Sequence, residues 1–324
     1  MEDIVSVLNP EPDRRVSEPL EEVETEGFVG ESPVEYSSAT KRIIVSSRNE
    51  PRRGSRQSFS FLQRMLEDSL LRVFPTDDER DDERIRVREP HLRPWRAICS
   101  LETQGASRSN KGTGWFVSSN TIVTAAHVLY DRRYGKDNRG EFWVENVTVY
   151  PGRHGLNYPY PKNPRFKKPI EVEGASKFWI PAPWKKSIDT NPSNDGGDRN
   201  FDFGVIRIDE PVGNETGWFK MASKTDEFLK GLLVNIAGYP TDSRYSGKYI
   251  YHSVGQLKEP SANQRRLFYQ IDTGQGQSGS PVWYEGNNNE PIVVGIHTRG
   301  DDDYNSAIRL NTAVVKAIDK AFKN

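Results

Sequence analysis

The sequence predicts an all-β domain, a barrel or a sandwich, over residues 95–324, preceded by a leader over residues 1–94 that is largely disordered. Three observations lead there. Short apolar stretches alternate with turn clusters from Trp95 onward. All seven tryptophans lie at or after that residue. Before it, the chain is rich in Glu, Arg, Ser and Pro.

Within the leader, Ser58 to Phe74 spaces Phe61, Met65, Leu66, Leu70 and Val73 as one face of a short helix near 58–74. From Asp77 to Glu89 only Ile85 and Val87 are uncharged, which predicts a solvated linker. The strands expected next are Arg96–Glu102, Gly114–Ser118, Thr121–Ala126, Phe142–Tyr150 and Phe203–Ile208. Leu233–Gly238, Leu267–Ile271, Pro281–Tyr284 and Ile292–Thr298 complete the set, and Ser119-Asn120 supplies a hairpin turn. The one helical pattern after Trp95 is Asn311 to Phe322, with Val314, Val315, Ile318 and Phe322 on one face. Many short strands with one terminal helix suit a barrel or sandwich, and 230 residues are enough for two small barrels.

Composition excludes several function classes. A net charge of −1 gives no reason to expect nucleic acid as a partner. No apolar run approaches the ~20 residues of a bilayer-spanning helix. The first residues, MEDIVSVLNP, lack the basic and apolar regions of a signal peptide, so synthesis in the cytoplasm is expected and the final compartment is left open. Cys99 is the only cysteine, so no intrachain disulfide can form. No metal-ligand spacing and no cofactor motif is expected to operate.

Three segments carry candidate chemistry. His127 ends a strand in TAAHVL; Asp202 interrupts an apolar run in NFDFGV; Ser278 sits in GQGQSGSP. Each alone has a bland reading: a hydrogen-bonded structural histidine, a capped turn, a flexible loop. Together, in that order, they have the types that nucleophilic acyl transfer needs. A serine hydroxyl needs an imidazole to take its proton, and the imidazole needs a carboxylate to fix its tautomer. The glycines around Ser278 leave the backbone N–H groups of Gly276 and Ser278 as an oxyanion hole, each donor contributing roughly 3–4 kcal/mol to the transition state. Gly274-x-Gly276-x-x-Gly279 formally matches a dinucleotide fingerprint, but Pro281 and the residues after it predict strand and turn, where that motif requires a helix. Asp272-Thr273-Gly274 matches an aspartic-protease triplet without the second copy that its dyad needs. The order Ser-Asp-His is excluded because Ser278 comes last.

GTGWFVSSNTIVTAAHVLY, VYPGRHGLNYPYP, NFDFGVIRIDEPVGNETGWF, IAGYPTD, YQIDTGQGQSGSPVW and VVGIHTRG resemble the bacterial glutamyl endopeptidases, secreted trypsin-fold serine proteases that cleave after Glu. The resemblance covers Trp95 to the C-terminus and reaches back toward Asp77–Val87. It implies two packed six-stranded antiparallel barrels with the active site between them and His127, Asp202 and Ser278 as the triad. It also implies an S1 pocket that reads a substrate carboxylate through Thr273 and His297, the latter as an imidazolium. Protein or peptide substrates follow.

The family's mature N-terminus is apolar and its ammonium lies near S1. This implies a zymogen activated by another protease, one with basic preference, cutting between Arg72 and Val73. Two departures stand against the pattern: the absent signal peptide, and Arg299, which is expected to reshape neighbouring subsites or favour acidic side chains there. Two other readings stay open. Asp272, six residues before Ser278, is placed to select Lys or Arg at P1. The same fold can also serve as a catalytically inactive binding module.

Overall fold

The computed structural model describes residues 82–321, apart from 167, 191–195, 259–263 and 301–303. The helix expected near 58–74 and the Arg72–Val73 bond lie outside the described residues.

Two antiparallel sheets hold the described chain. The first contains β2 (Ile98–Gln104), β3 (Ser109–Phe116), β4 (Thr121–Thr124), β5 (Asn146–Pro151), β6 (Ile170–Glu173), β7 (Phe178–Trp179) and β8 (Gly204–Arg207), in the order β6-β5-β2-β3-β4-β8-β7. The second contains β1 (Ile85–Arg86), β9 (Lys220–Met221), β10 (Leu233–Gly238), β11 (Tyr251–Gln256), β12 (Arg266–Tyr269), β13 (Pro281–Glu285), β14 (Pro291–Gly300) and β15 (Asn305–Arg309). Its order is β1-β11-β10-β13-β14-β15-β12, and β9 joins β14 as the one parallel pair among the described strands. Seven and eight strands thus replace the expected six and six. The surplus includes the two-residue strands β1, β7 and β9.

Each sheet buries one face. Leu101, Phe116, Ile122, Leu129, Val147, Val149 and Ile206 pack inside the first, and Val234, Ile236, Leu267, Tyr269, Ile271 and Val294 inside the second. A third cluster joins the two. Ile98, Trp115, Val123, Phe203 and Val205 from the first half meet Tyr239, Trp283, Val293, Ile296 and Ile308 from the second. The C-terminal helix, Thr312–Lys320, closes this seam with Val314, Val315 and Ile318. Its start is set by Asn311, whose side chain accepts from the Val314 N–H at 3.0 Å.

Three sequence expectations need correction. The charged stretch before Trp95 is not a solvated linker over 82–89. There β1 pairs with β11, Val87 is buried, and its N–H donates to Ile250 O at 2.9 Å. Arg84 is buried and paired with Asp82 and Asp242, while Glu83, Arg86, Arg88 and Glu89 stay exposed. Second, a helix at Ala182–Thr190 was not expected, because only Trp184 and Ile188 give it a buried face. Third, β6, β11 and β15 extend the sheets where no strand was expected.

Candidate active site

The register of β4 against β8 brings the first two candidate residues together. Thr124 pairs with Gly204, so the short helix Ala126–Leu129 after β4 and the turn before β8 face each other. From that turn Asp202 grips His127 twice. Oδ1 accepts the backbone N–H at 2.9 Å, and Oδ2 lies 2.8 Å from Nδ1. With Nδ1 facing a carboxylate, the neutral ring leaves Nε2 as the acceptor nitrogen. Burial pulls the His127 pKa down, but the Asp202 charge and hydrogen bond outweigh it and hold the value above the ordinary one.

Ser278 comes from the second half, on the loop between β12 and β13. Two backbone shapes there require glycine: Gly276 has φ +86° and Gly279 has φ +92°. A Cβ on Gly279 would also collide with Thr113 O and Thr124 Oγ1, so the loop lies directly against β3 and β4. Thr113 fastens it, donating from its N–H to Ser278 O at 2.9 Å and from Oγ1 to Gly276 O at 2.8 Å. Gly279 N–H donates to His297 O at 2.7 Å. The Gly276 and Ser278 N–H groups have no acceptor among the described residues. The Ser278 hydroxyl makes one long contact, to Thr298 O at 3.4 Å, and no hydrogen bond to His127. A bond of that length holds the side chain weakly.

His297 lies on β14 just before a bulge, where Thr298 is the extra residue between the pairs His297–Ala307 and Arg299–Ser306. Its ring is buried, with Nδ1 2.7 Å from the Tyr269 hydroxyl. Burial pushes the His297 pKa down to about 3, and His127 adds to the effect. That direction runs against the imidazolium expected from the sequence and favours the neutral ring. If Nδ1 accepts from Tyr269, the ring proton sits on Nε2 as a donor.

A cleft of about 710 Å³ contains His127, Asp202, Ser278, Thr273 and His297 together. Gly276 is buried and is not among the residues that line the cleft. The Thr273 hydroxyl has no hydrogen-bond partner among the described residues. Asp272 does not line the cleft; its Oδ2 accepts the Glu83 N–H at 2.7 Å. Arg299 does line it, as do Arg133, Arg199 and Arg266, which the sequence did not single out. Tyr269 was missed too, although a tyrosine at an inward strand position must find a partner for its hydroxyl. No group of three or more His, Cys, Asp or Glu able to hold a metal ion occurs among the described residues, and no helix among them is long and apolar enough to cross a membrane.

Residues 112–296 match the trypsin-like peptidase domain. The chain is 30% identical over 240 residues to the glutamyl endopeptidase of Bacillus licheniformis, a match covering 72% of this chain and 65% of that protein. It is 28% identical over 258 residues to a Bacillus subtilis protein named extracellular metalloprotease, covering 79% and 73%. Among solved structures, a Glu endopeptidase in complex with MPD superposes with a TM-score of 0.59 at 24% identity, over 76% of this chain and 99% of that one. The matched region contains the His127 helix, the Asp202 turn and the Ser278 loop, and the chain belongs to the trypsin-like peptidase family of serine proteases.

Proposed function

We propose that this protease cleaves peptide bonds after glutamate through a Ser278 acyl-enzyme. The reading is carried by one observation: Asp202 holds His127 by two hydrogen bonds in the cleft that also contains Ser278. In the proposed reaction His127 Nε2 takes the hydroxyl proton as Oγ attacks the scissile carbonyl. The oxyanion is received by the unpaired N–H groups of Gly276 and Ser278. His127 then passes its proton to the leaving amine, and water repeats the sequence on the acyl-enzyme.

Glutamate preference is supported by Thr273 and His297 in the same cleft. A neutral His297 can donate from Nε2, and an arriving carboxylate favours its protonation, so charge develops only when substrate fills the pocket. Basic P1 preference has less support, because Asp272 is turned to the Glu83 backbone. The segment before the packed region is proposed to act as a leader that delays activity, removed by another protease near Arg72–Val73. Its Glu18, Glu21 and Glu22 are candidate sites for self-trimming.

Cleavage of a peptide library by the full chain and by a chain starting at Val73 tests these readings together. Glu should exceed Gln at P1 by orders of magnitude, because an unpaired buried donor is costly. Preference for Lys or Arg would transfer the pocket to Asp272. Equal activity of the two chains would remove the leader from regulation.

A further inference from the structure

Three stretches far apart in sequence meet at the nucleophile loop: Asp82 to Arg84, the turn from Pro240 to Gly247 after β10, and the loop residues Asp272 to Gln277. The Glu83 N–H donates to Asp272 Oδ2 at 2.7 Å. Arg84, with its side chain 7% exposed, sends Nη1 to Asp242 Oδ2 at 2.6 Å. Its Nε and Nη2 donate to the Asp82 carboxylate at 2.9 and 2.8 Å. Asp82 also accepts from the Tyr245 hydroxyl at 2.7 Å and from Arg244 at 3.0 Å. From the turn, the Thr241 N–H donates to Gln275 O at 2.6 Å.

The Arg84–Asp242 pair rests directly on Gly274. A Cβ at that position would collide with both Arg84 Nη1 and Asp242 Oδ2. Gly274 is the residue between Thr273, on the cleft wall, and Gln275, next to Gly276. The Arg84–Asp82 pair, with both side chains 7% exposed, adds little net stability compared with apolar packing of the same volume. What they supply is direction, since a guanidinium fixed at three nitrogens has one orientation.

We propose that Arg84, together with Asp82 and Asp242, is a positioning residue for peptide-bond cleavage, holding the 272–277 loop in the shape that presents the Gly276 N–H and Thr273 to substrate. The inference rests on the reading of that loop as the nucleophile loop. It makes Asp82 to Arg86 part of the working enzyme, so any activating cut lies upstream of Asp82.

The test compares Arg84→Met, Arg84→Lys, Asp242→Asn and Ser278→Ala in the full chain. The readouts are kcat and KM on a peptide that the wild type cleaves, the rate of fluorophosphonate labelling, and the melting midpoint. Arg84→Met should lower kcat and labelling about ten- to a hundredfold, with a smaller change in KM, as expected for a misplaced donor. Arg84→Lys should recover part of the loss. The Arg84→Met/Asp242→Asn double variant should be no worse than Arg84→Met alone, because the two act as a unit. Asp242→Asn, isosteric and nearer the surface, carries the same expectation if Arg84→Met does not fold. A lower melting midpoint with unchanged kcat would overturn the proposal, as would additive losses. Full activity of Ser278→Ala would instead sink the nucleophile reading beneath it, whatever Arg84 does.

Discussion

The two halves of the molecule hold their parts of the site in different ways. The first sheet delivers His127 and Asp202 already joined, with hydrogen bonds of 2.9 and 2.8 Å. The second delivers Ser278 on a glycine loop, with its hydroxyl on a 3.4 Å contact and the Gly276 and Ser278 N–H groups without an acceptor among the described residues. A proton acceptor works best when its tautomer is fixed before substrate arrives. A nucleophile and its oxyanion donors must instead leave their bonding capacity open for groups that only the substrate brings. On the proposed reading, the halves thus divide the site into a prepaid part and a part completed on binding.

Removing the open half should have the largest effect. Ser278→Ala is expected to lower kcat by about 10⁶-fold with the fold intact, and adding His127→Ala should cost little more. Near-additive losses in steady-state kinetics would count against the two acting together. Breaking the prepaid half comes next. Asp202→Asn keeps the shape but presents the wrong tautomer, and kcat should fall about 10⁴-fold. A loss of tenfold or less would mean that the two-pronged grip is structural only.

The specificity side of the second half is expected to respond more gently. His297→Leu should narrow the ratio of kcat/KM for Glu over Gln peptides. Tyr269→Phe, which removes the partner of Nδ1, should narrow it roughly tenfold, the scale of one hydrogen bond. An unchanged ratio in both variants would take His297 out of the pocket.

The smallest effect is in pH dependence, where the halves have opposite signs. His127 has a folded pKa above its ordinary 6.5, so the stability it contributes is present below 6.5 and lost as pH rises through the folded value. Its neutral form is the base, so kcat/KM should rise through a pKa above 6.5. His297 and His252, both buried in the second half, have pKa values pushed down to about 3. Between 6.5 and about 3 the unfolded chain binds protons there that the folded chain refuses, so stability falls as pH drops through that window. Melting midpoints recorded from pH 7 to 4 should fall less steeply for His297→Leu than for the wild type.

Much of this was legible in the sequence, and the failures share a physical cause. The strands at β4, β8, β10, β13 and β14 show their inward faces as apolar runs. β15 hides its face because Arg309 is buried there, paired with Asp226 and Lys224 O. β11 hides it behind buried His252 and Ser253. His127, Asp202 and Ser278 could be named because their three segments occur together and in order, whereas Thr273 and His297 came from the family resemblance alone. Tyr269 and the Arg84 cluster could not, since their partners are reached only through the folded chain, at Asp242 and His297. The charge run before Trp95 misled for the same reason: counting charges says nothing of where their counter-ions lie.

The pairing of β1 with β11 also has a consequence for how the molecule is made. Ile85 finds its partner in His252, although all seven strands of the first sheet are translated between them. A ribosome-bound chain can assemble the first sheet early, from segments that emerge together. The segment at 82–87 must wait for the second half before it has an edge to join, and closing so long a loop slows the final step. The segments that carry His127 and Asp202 can accordingly pack before the Ser278 loop has left the ribosome, so the cleft that the three share is completed only with the later part of the chain.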